Sequence, residues 1–392
     1  MKPRERMLAV LHGERPDRVP TGELGIDYPI TEHVLGRPTF YRAKRREKEA
    51  IWAGRRDEVV TSQKRDLVEI VRKLEWDWVP VFLTYRSGQT YAPAAFIDQN
   101  TWQDAYGRTW KYSEVTEDIL CVAMPNVNES MLEALRAPSR PDPSELELVN
   151  HVVRTLGDTH FIVGRTSVEL RDAGPLMGGG PVDGTFPEAY GGLVMDIVDF
   201  STRLLEEPAF IKELLAAATD RAIETALALI GSGVDAVMMD TDYCHQGGPW
   251  ISPRHFREFV FPLLKKQVDA IHAAGAFAIK HTDGRTWPIL DMLIEAGIDG
   301  LHGIQPSAGM DLAALRERCG HKLALFGAVE GNLLIDGTPD QVRELVRQQI
   351  EAAGRDGGFV LTTSNSVQLG IPPTNYLAML EAAHDHGSYN NA

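Results

Sequence analysis

AFAIKHTDGR, residues 276–285, is a short apolar run followed at once by an imidazole, a carboxylate and a glycine. The periodicity of Trp287 to Glu295 then reads as a helix. A buried strand ending in His281 and Asp283, and turning at Gly284 into a helix, delivers two metal- or proton-handling groups to one rim of a sheet. In α/β proteins that rim is where ligands bind. Asp283 also suits a helix cap and His281 a local hydrogen bond, so the weight of the reading rests on whether the pattern recurs.

It recurs. Apolar strand-like runs lie at 161–163, 234–239, 276–279, 300–304, 323–326 and 359–362. Amphipathic helical stretches separate them. One opens at Pro208 and closes near Gly231. A second follows Ser252-Pro253, with Pro262 placed to kink it. A third follows the capping box Thr338-Pro339-Asp340-Gln341. Strands of nearly continuous hydrophobicity alternating with helices imply a parallel sheet covered on its outer faces. No glycine-rich phosphate loop follows a first strand, and Gly178-Gly179-Gly180 sits at no strand-to-helix junction. The expected fold is therefore a (β/α)8 TIM barrel, as one domain over residues 1–392. Residues 151–392 carry the regular βα units and residues 1–150 an irregular N-terminal elaboration. Within the latter, 19–26 reads as a first barrel strand, 64–74 as helix and 76–85 as strand. The aromatic-rich stretch 96–115 (Trp102, Tyr106, Trp110, Tyr112) reads as a β-hairpin or meander over one barrel end.

Composition narrows the partners. A formal net charge of −15 argues against nucleic acid, since no basic stretch could neutralise phosphates. The most basic patch, residues 42–48 (RAKRREK), reads as the solvated face of a short helix. No apolar stretch approaches a membrane span and no signal-peptide core is present, so a cytoplasmic location is expected. Cys121, Cys244 and Cys319 are too widely spaced for a CxxC clip, which argues against disulfides and an all-thiolate metal site. The tail after Gly387 reads as frayed.

Residues just after each strand would gather at the rim: Glu169, Asp240 and Asp242, His281 and Asp283, His302, Glu330, and Ser364, Asn365 and Ser366. Charges repeated at consecutive strand ends are costly to bury without partners. A metal ion held by mixed His and Asp/Glu ligands accounts for them, and so does a proton-relay network. His281, Asp283, Asp240 and Asp242 are the candidate catalytic residues. In the stretch DTDYCHQGGPWISP (240–253), Tyr243 and Trp250 are placed to wall a pocket, although Trp250 equally suits an anchor for the loop. Asp27, Glu23, Glu169, His302 and Asn365 complete the candidate substrate-binding set.

At these residues the chain resembles the uroporphyrinogen decarboxylase superfamily. The likeness is carried by RERMLAVLHGERPDRVP (4–20), GGPWISPRHFREFVFP (247–262), HTDGR (281–285), LFGAVEGNLLIDGTPDQV (325–342) and GGFVLTTSNSVQLGIPPTNYLAML (357–380), in the family's order. Its haem-pathway decarboxylases use an arginine-rich RQAGR loop. Here that place reads Pro20-Thr21-Gly22-Glu23-Leu24-Gly25-Ile26-Asp27, so a polyanionic tetrapyrrole would meet an acidic entrance. The opening instead resembles the methyltransferase-like branch, whose members pass methyl groups to or from a corrinoid on a partner protein. That branch holds zinc with a His-x-Cys pair, matching His281-Thr282-Asp283, and a later cysteine near Ser364–Ser366. Both thiol positions are oxygen-bearing here.

The resemblance therefore implies an enzyme that moves a methyl group from a small methylated donor, with methoxylated compounds foremost, to a corrinoid supplied by a partner protein. It implies a divalent metal, zinc before others, held by His281 and Asp283 with Asp240 or Glu330, and is compatible with a homodimer. Without metal, Asp283 would act as a general acid. The alternatives are a decarboxylase acting on a porphyrinogen or smaller acid, with Asp27 or Asp283 as proton donor, and a binding protein that holds a corrinoid or porphyrin without turnover.

Overall fold

The computed structural model describes residues 1–91, 93, 95–104, 107–115, 117, 119–123, 128–137, 140–166, 197–354 and 356–389. Seven parallel strands form one curled sheet: β1 (Trp78–Val81), β2 (Phe161–Thr166), β3 (Ala236–Asp240), β4 (Phe277–His281), β5 (Gly300–Ile304), β6 (Ala324–Val329) and β7 (Phe359–Thr363). They are hydrogen-bonded in chain order, as right-handed βα units require. Side chains alternate between two faces. Ile279 lies inside the curl with Trp78, Phe161, Met238 and Phe326, while Ala278 and Leu301 face the helical layer outside. Burial on both faces is why these strands read as continuous apolar runs.

The expected eighth strand is present only in part. Residues 19–26 run between the sheet's two edges and make isolated parallel bridges, Thr21 to Leu361 and Ile26 to Val367. Pro20 O accepts from Leu361 N at 2.9 Å, and Thr21 O accepts from Asp77 N at 2.7 Å. Gly22 is needed here because a Cβ would fall 2.4 Å from the Trp78 ring.

The helix Pro3–Leu11 plugs the N-terminal end of the curl. Met7 and Val10 join the inner cluster, Arg4 pairs with Asp235 at 2.7 Å, and Arg6 pairs with Asp77. Both aspartates directly precede strands, so cationic side chains seal this end and the C-terminal rim is left to face ligands.

Several local readings hold. The helix Pro208–Gly231 has the expected limits, and Thr338 and Gln341 form the capping box. Ser252 accepts from His255 N at 3.2 Å. Pro262, expected to kink the interior of that helix, lies in the first turn of Phe261–Ala273, directly after a π-helical segment, Phe256–Val260. The stretch around 96–115 becomes a four-stranded antiparallel sheet, Ala95–Phe96, Thr101–Gln103, Thr109–Tyr112 and Ile119–Ala123. Its apolar face rests on Trp52, 5.0 Å from the Trp102 ring. Tyr106 lies outside the described residues. Among those described, no helix is long and apolar enough to cross a membrane.

Two expectations are corrected. Residues 42–48 are not a solvated face: Arg42, Lys44 and Lys48 are buried, and the helix, Arg45–Trp52, begins only after the first two. The tail is tied at Ser388 and Tyr389, the latter through its N–H to Asp17 O at 3.0 Å, while residues 390–392 lie outside the described residues.

Candidate functional site

Register assembles the centre of the site. His281 is opposite Asp240 of β3 on one side and His302 of β5 on the other, so three neighbouring strands set three polar side chains in one row at the top of the inner face. Strand spacing alone puts such neighbours about 5 Å apart. Each is paired differently. Asp240 is held by Arg165 of β2, whose Nε donates to Oδ2 at 2.8 Å. His281 and His302 meet through their Nδ1 atoms at 2.7 Å. Both are buried, which pushes both imidazoles below their ordinary pKa. His302 lies well below it, since His281 and Arg165 add to the effect of burial. For His281 the nearby Asp242 and Asp240 charges oppose burial.

The other edge of the His281 ring faces carboxylates. Its Nε2 lies 3.5 Å from Asp242 Oδ1 and 3.8 Å from Asp283 Oδ1. Asp242, His281 and Asp283 each offer one ligand atom, all within 4.8 Å of one another. Two further bonds fix the carboxylates. Asp283 N donates to Asp242 Oδ1 at 3.1 Å, and Asn365 Nδ2 donates to Asp283 Oδ2 at 2.6 Å. Solvent access rises outward: the side chains of His281, Asp242 and Asp283 are 4%, 12% and 27% exposed. Asp283 is thus the outermost of the three side chains.

Glycine conformation makes room. Gly303, at φ +92°, lies where the β5–β6 register shifts. A Cβ there would sit 2.6 Å from Thr282 O and 3.0 Å from Asp283 Oδ1. Gly284, at φ +80°, lets the backbone of His245 approach, and a Cβ would lie 2.4 Å from His245 O. The loop after β3 is thereby laid against the turn after β4. The His245 ring lies 4.6 Å from that of half-buried Trp250, tilted 40° to it, forming an aromatic lip next to the turn at Gly284.

Other expected residues lie elsewhere. Glu330 N-caps the helix Gly331–Asp336 and accepts from Ser307 N at 2.8 Å, so Asp242 rather than Glu330 or Asp240 joins His281 and Asp283. Tyr243 is buried beneath the loop. Its ring packs on Phe256 at 5.1 Å and carries Lys280 Nζ 3.8 Å from its centroid, so it walls no open pocket. His302 is wholly buried behind His281 and does not face the rim. Glu169 and Gly178-Gly179-Gly180 lie outside the described residues. Cys244 is buried and its thiol is pushed up to about 12 by burial, which leaves it a poor thiolate donor.

The expected acidic entrance is also corrected. Asp27 is buried between Arg42 at 2.9 Å and Lys44 at 2.9 Å, and accepts from Leu369 N at 3.1 Å. Glu23 points out of the curl. Its carboxylate accepts from Thr363 N and, at 2.7 Å, from Thr363 Oγ1; burial pushes its pKa up to about 8.

A curled parallel α/β sheet plugged at one end, with a buried imidazole and two carboxylates at the other, defines an enzyme-like site. The chain belongs to the uroporphyrinogen decarboxylase (URO-D) family, which residues 95–386 match. It is 26% identical over 259 residues to the uroporphyrinogen decarboxylase of Aliivibrio salmonicida, covering 62% of this chain and 66% of that one. Against the enzyme of the same name from Methylococcus capsulatus the identity is 28% over 252 residues, with 62% and 66% covered. The matched region thus spans slightly under two thirds of those relatives. A solved methyltransferase from Methanosarcina mazei aligns over 98% of this chain and 99% of its own, with a TM-score of 0.67 and 19% identity, which establishes a shared fold.

Proposed function

We propose that the protein transfers a methyl group from a small methylated donor, with methoxylated compounds foremost, to a corrinoid carried by a partner protein. In this reading residues 19–26 complete a (β/α)8 barrel, and Asp242, His281 and Asp283 hold a divalent cation at its mouth. The observation that carries it is the convergence of one imidazole nitrogen and two carboxylate oxygens within 4.8 Å. The donor set fits: nitrogen and oxygen ligands suit zinc and harder divalent ions. A cation bound there supplies Lewis-acid polarisation of the donor's ether oxygen.

The remaining work falls to the chain's own groups. Asn365 keeps Asp283 Oδ2 occupied and so aims Oδ1 toward His281. Asp242 is steadied by the Asp283 N–H. His245 and Trp250 offer an aromatic wall where a small donor enters. With no cation bound, Asp283, the most exposed of the three side chains, would act as the general acid that protonates a leaving alkoxide.

The test incubates the purified protein with cob(I)alamin, a panel of methyl ethers and added divalent metals. Methylcobalamin formation, lost in His281→Ala and Asp283→Ala, is the expected result. Absence of product with every donor and metal overturns the reading. Decarboxylation of a carboxylated substrate is a second reading, because the curated relatives bear that name and Asp27 is neutralised by Arg42 and Lys44. CO2 release from uroporphyrinogen in a parallel assay would favour it.

A further inference from the structure

We infer that His302 is a positioning residue: its Nδ1 accepts the Nδ1 proton of His281, so that His281 presents a bare Nε2 lone pair to the site. This deepens the proposed function and rests on His281 as a cation ligand.

The argument begins with the 2.7 Å contact between the two Nδ1 atoms. With both rings neutral, a hydrogen bond at that distance needs one N–H and one lone pair, so two arrangements are open. In the first, His281 Nδ1–H donates and His281 Nε2 is bare, pointing toward Asp242 Oδ1 and Asp283 Oδ1. In the second, His302 Nδ1–H donates and His281 Nε2 carries a proton toward the carboxylates. A cation at Nε2 uses that lone pair, which leaves the neutral ring its proton on Nδ1. Only the first arrangement permits it. Ligating histidines generally place their second N–H on a carboxylate, carbonyl or water. Here another imidazole takes that part.

The surroundings single out His302 for this task. It is wholly buried, and its Nε2 has no hydrogen-bond partner among the described residues. Its neighbours are aromatic, with ring centroids of Trp78 at 6.4 Å and Phe326 at 6.3 Å. An apolar side chain would fill this place without an orphaned polar atom, so packing alone disfavours histidine. The backbone fixes the spacing: Thr282 N donates to His302 O at 3.1 Å, and the register shift after His302 comes at Gly303, which also makes room for Asp283.

The test is Co(II) titration of the full chain, followed by visible absorption and equilibrium dialysis, on wild type, His302→Leu and His302→Gln. Leucine offers no acceptor, whereas the glutamine carbonyl does. Wild type should bind one Co(II), His302→Leu should bind about tenfold or more weakly, and His302→Gln should recover most of the loss. Undiminished binding by His302→Leu overturns the inference while leaving the cation site standing. Wild type that takes up no Co(II) overturns the cation reading, and this inference with it. Independently of any variant, long-range 1H–15N spectra of the Zn(II)-loaded wild type should show His302 as the Nε2–H tautomer; an Nδ1–H tautomer there overturns the inference.

Discussion

The Asn365 amide donates to Asp283 Oδ2 at 2.6 Å, joining the segment after β7 to the turn after β4 across the mouth of the curl. Asp283 is the most exposed of the three clustered groups, so it has the most rotamer freedom to lose. Asn365→Ala should weaken divalent-cation binding about tenfold while changing stability by no more than about 1 kcal/mol. Isothermal titration and urea unfolding read the two effects separately. Unchanged cation affinity would show that the bond does not position Asp283.

Gly303 should tolerate no side chain. At φ +92° a Cβ would press on Thr282 O at 2.6 Å and Asp283 Oδ1 at 3.0 Å, so Gly303→Ala combines backbone strain with displacement of a candidate ligand. Denaturant unfolding should show a loss of about 2 kcal/mol or more, together with weaker cation binding. A neutral result would mean that β5 relaxes freely at this point.

Glu23 should make stability depend on pH. Burial raises its pKa from 4.5 to about 8, so folding favours the neutral acid. The stabilisation is complete below the unfolded value and is lost as pH rises through the folded one. Glu23→Gln keeps an oxygen for Thr363 N–H and removes the titration. The variant should gain up to roughly 3 kcal/mol over wild type at pH 7, with the difference vanishing at pH 4. Thermal melts across that range check it, and a pH-independent difference contradicts it.

Arg42 and Arg45 are three residues apart yet should behave oppositely. Arg42 is buried against Asp27 at 2.9 Å, whereas Arg45 pairs with Glu49 on the surface. Arg42→Ala should cost about 3 kcal/mol or more by leaving a buried carboxylate short of a partner, and Arg45→Ala, which removes contacts to Glu49, Asn100 and the Tyr112 ring at the surface, about 1 kcal/mol or less. Chemical denaturation of the two variants checks the contrast.

Much of the parallel sheet was legible because strands buried on both faces read as unbroken apolar runs, and 300–304 matches its strand to the residue. Other strands run one to three residues past their apolar runs, so that Asp240 and His281 close their strands rather than follow them. Asp242, the third cluster member, is legible as a partner of His281 and Asp283 in the sequence itself. Asp240-Thr241-Asp242 and His281-Thr282-Asp283 share one spacing, and β3 and β4 pair with Asp240 opposite His281. Equal spacing on paired strands carries Asp242 to Asp283, whereas Glu330 leaves β6 as the N-cap of a helix. The burial of Arg42 and Lys44 was not legible, because their partner Asp27 is fixed by a long-range bond to the β7 side, Asp27 N to Val367 O at 2.9 Å. The role of Gly303 depends on a backbone angle that a lone glycine does not announce.

The claim on which the rest depends is that Asp242, His281 and Asp283 form one cation site. Metal content after loading with zinc and gel filtration, measured on wild type, Asp242→Ala, His281→Ala and Glu330→Ala, tests it most directly. The account predicts one zinc per chain in wild type and Glu330→Ala, and marked loss in the other two. Full occupancy in Asp242→Ala, or loss in Glu330→Ala, would contradict it.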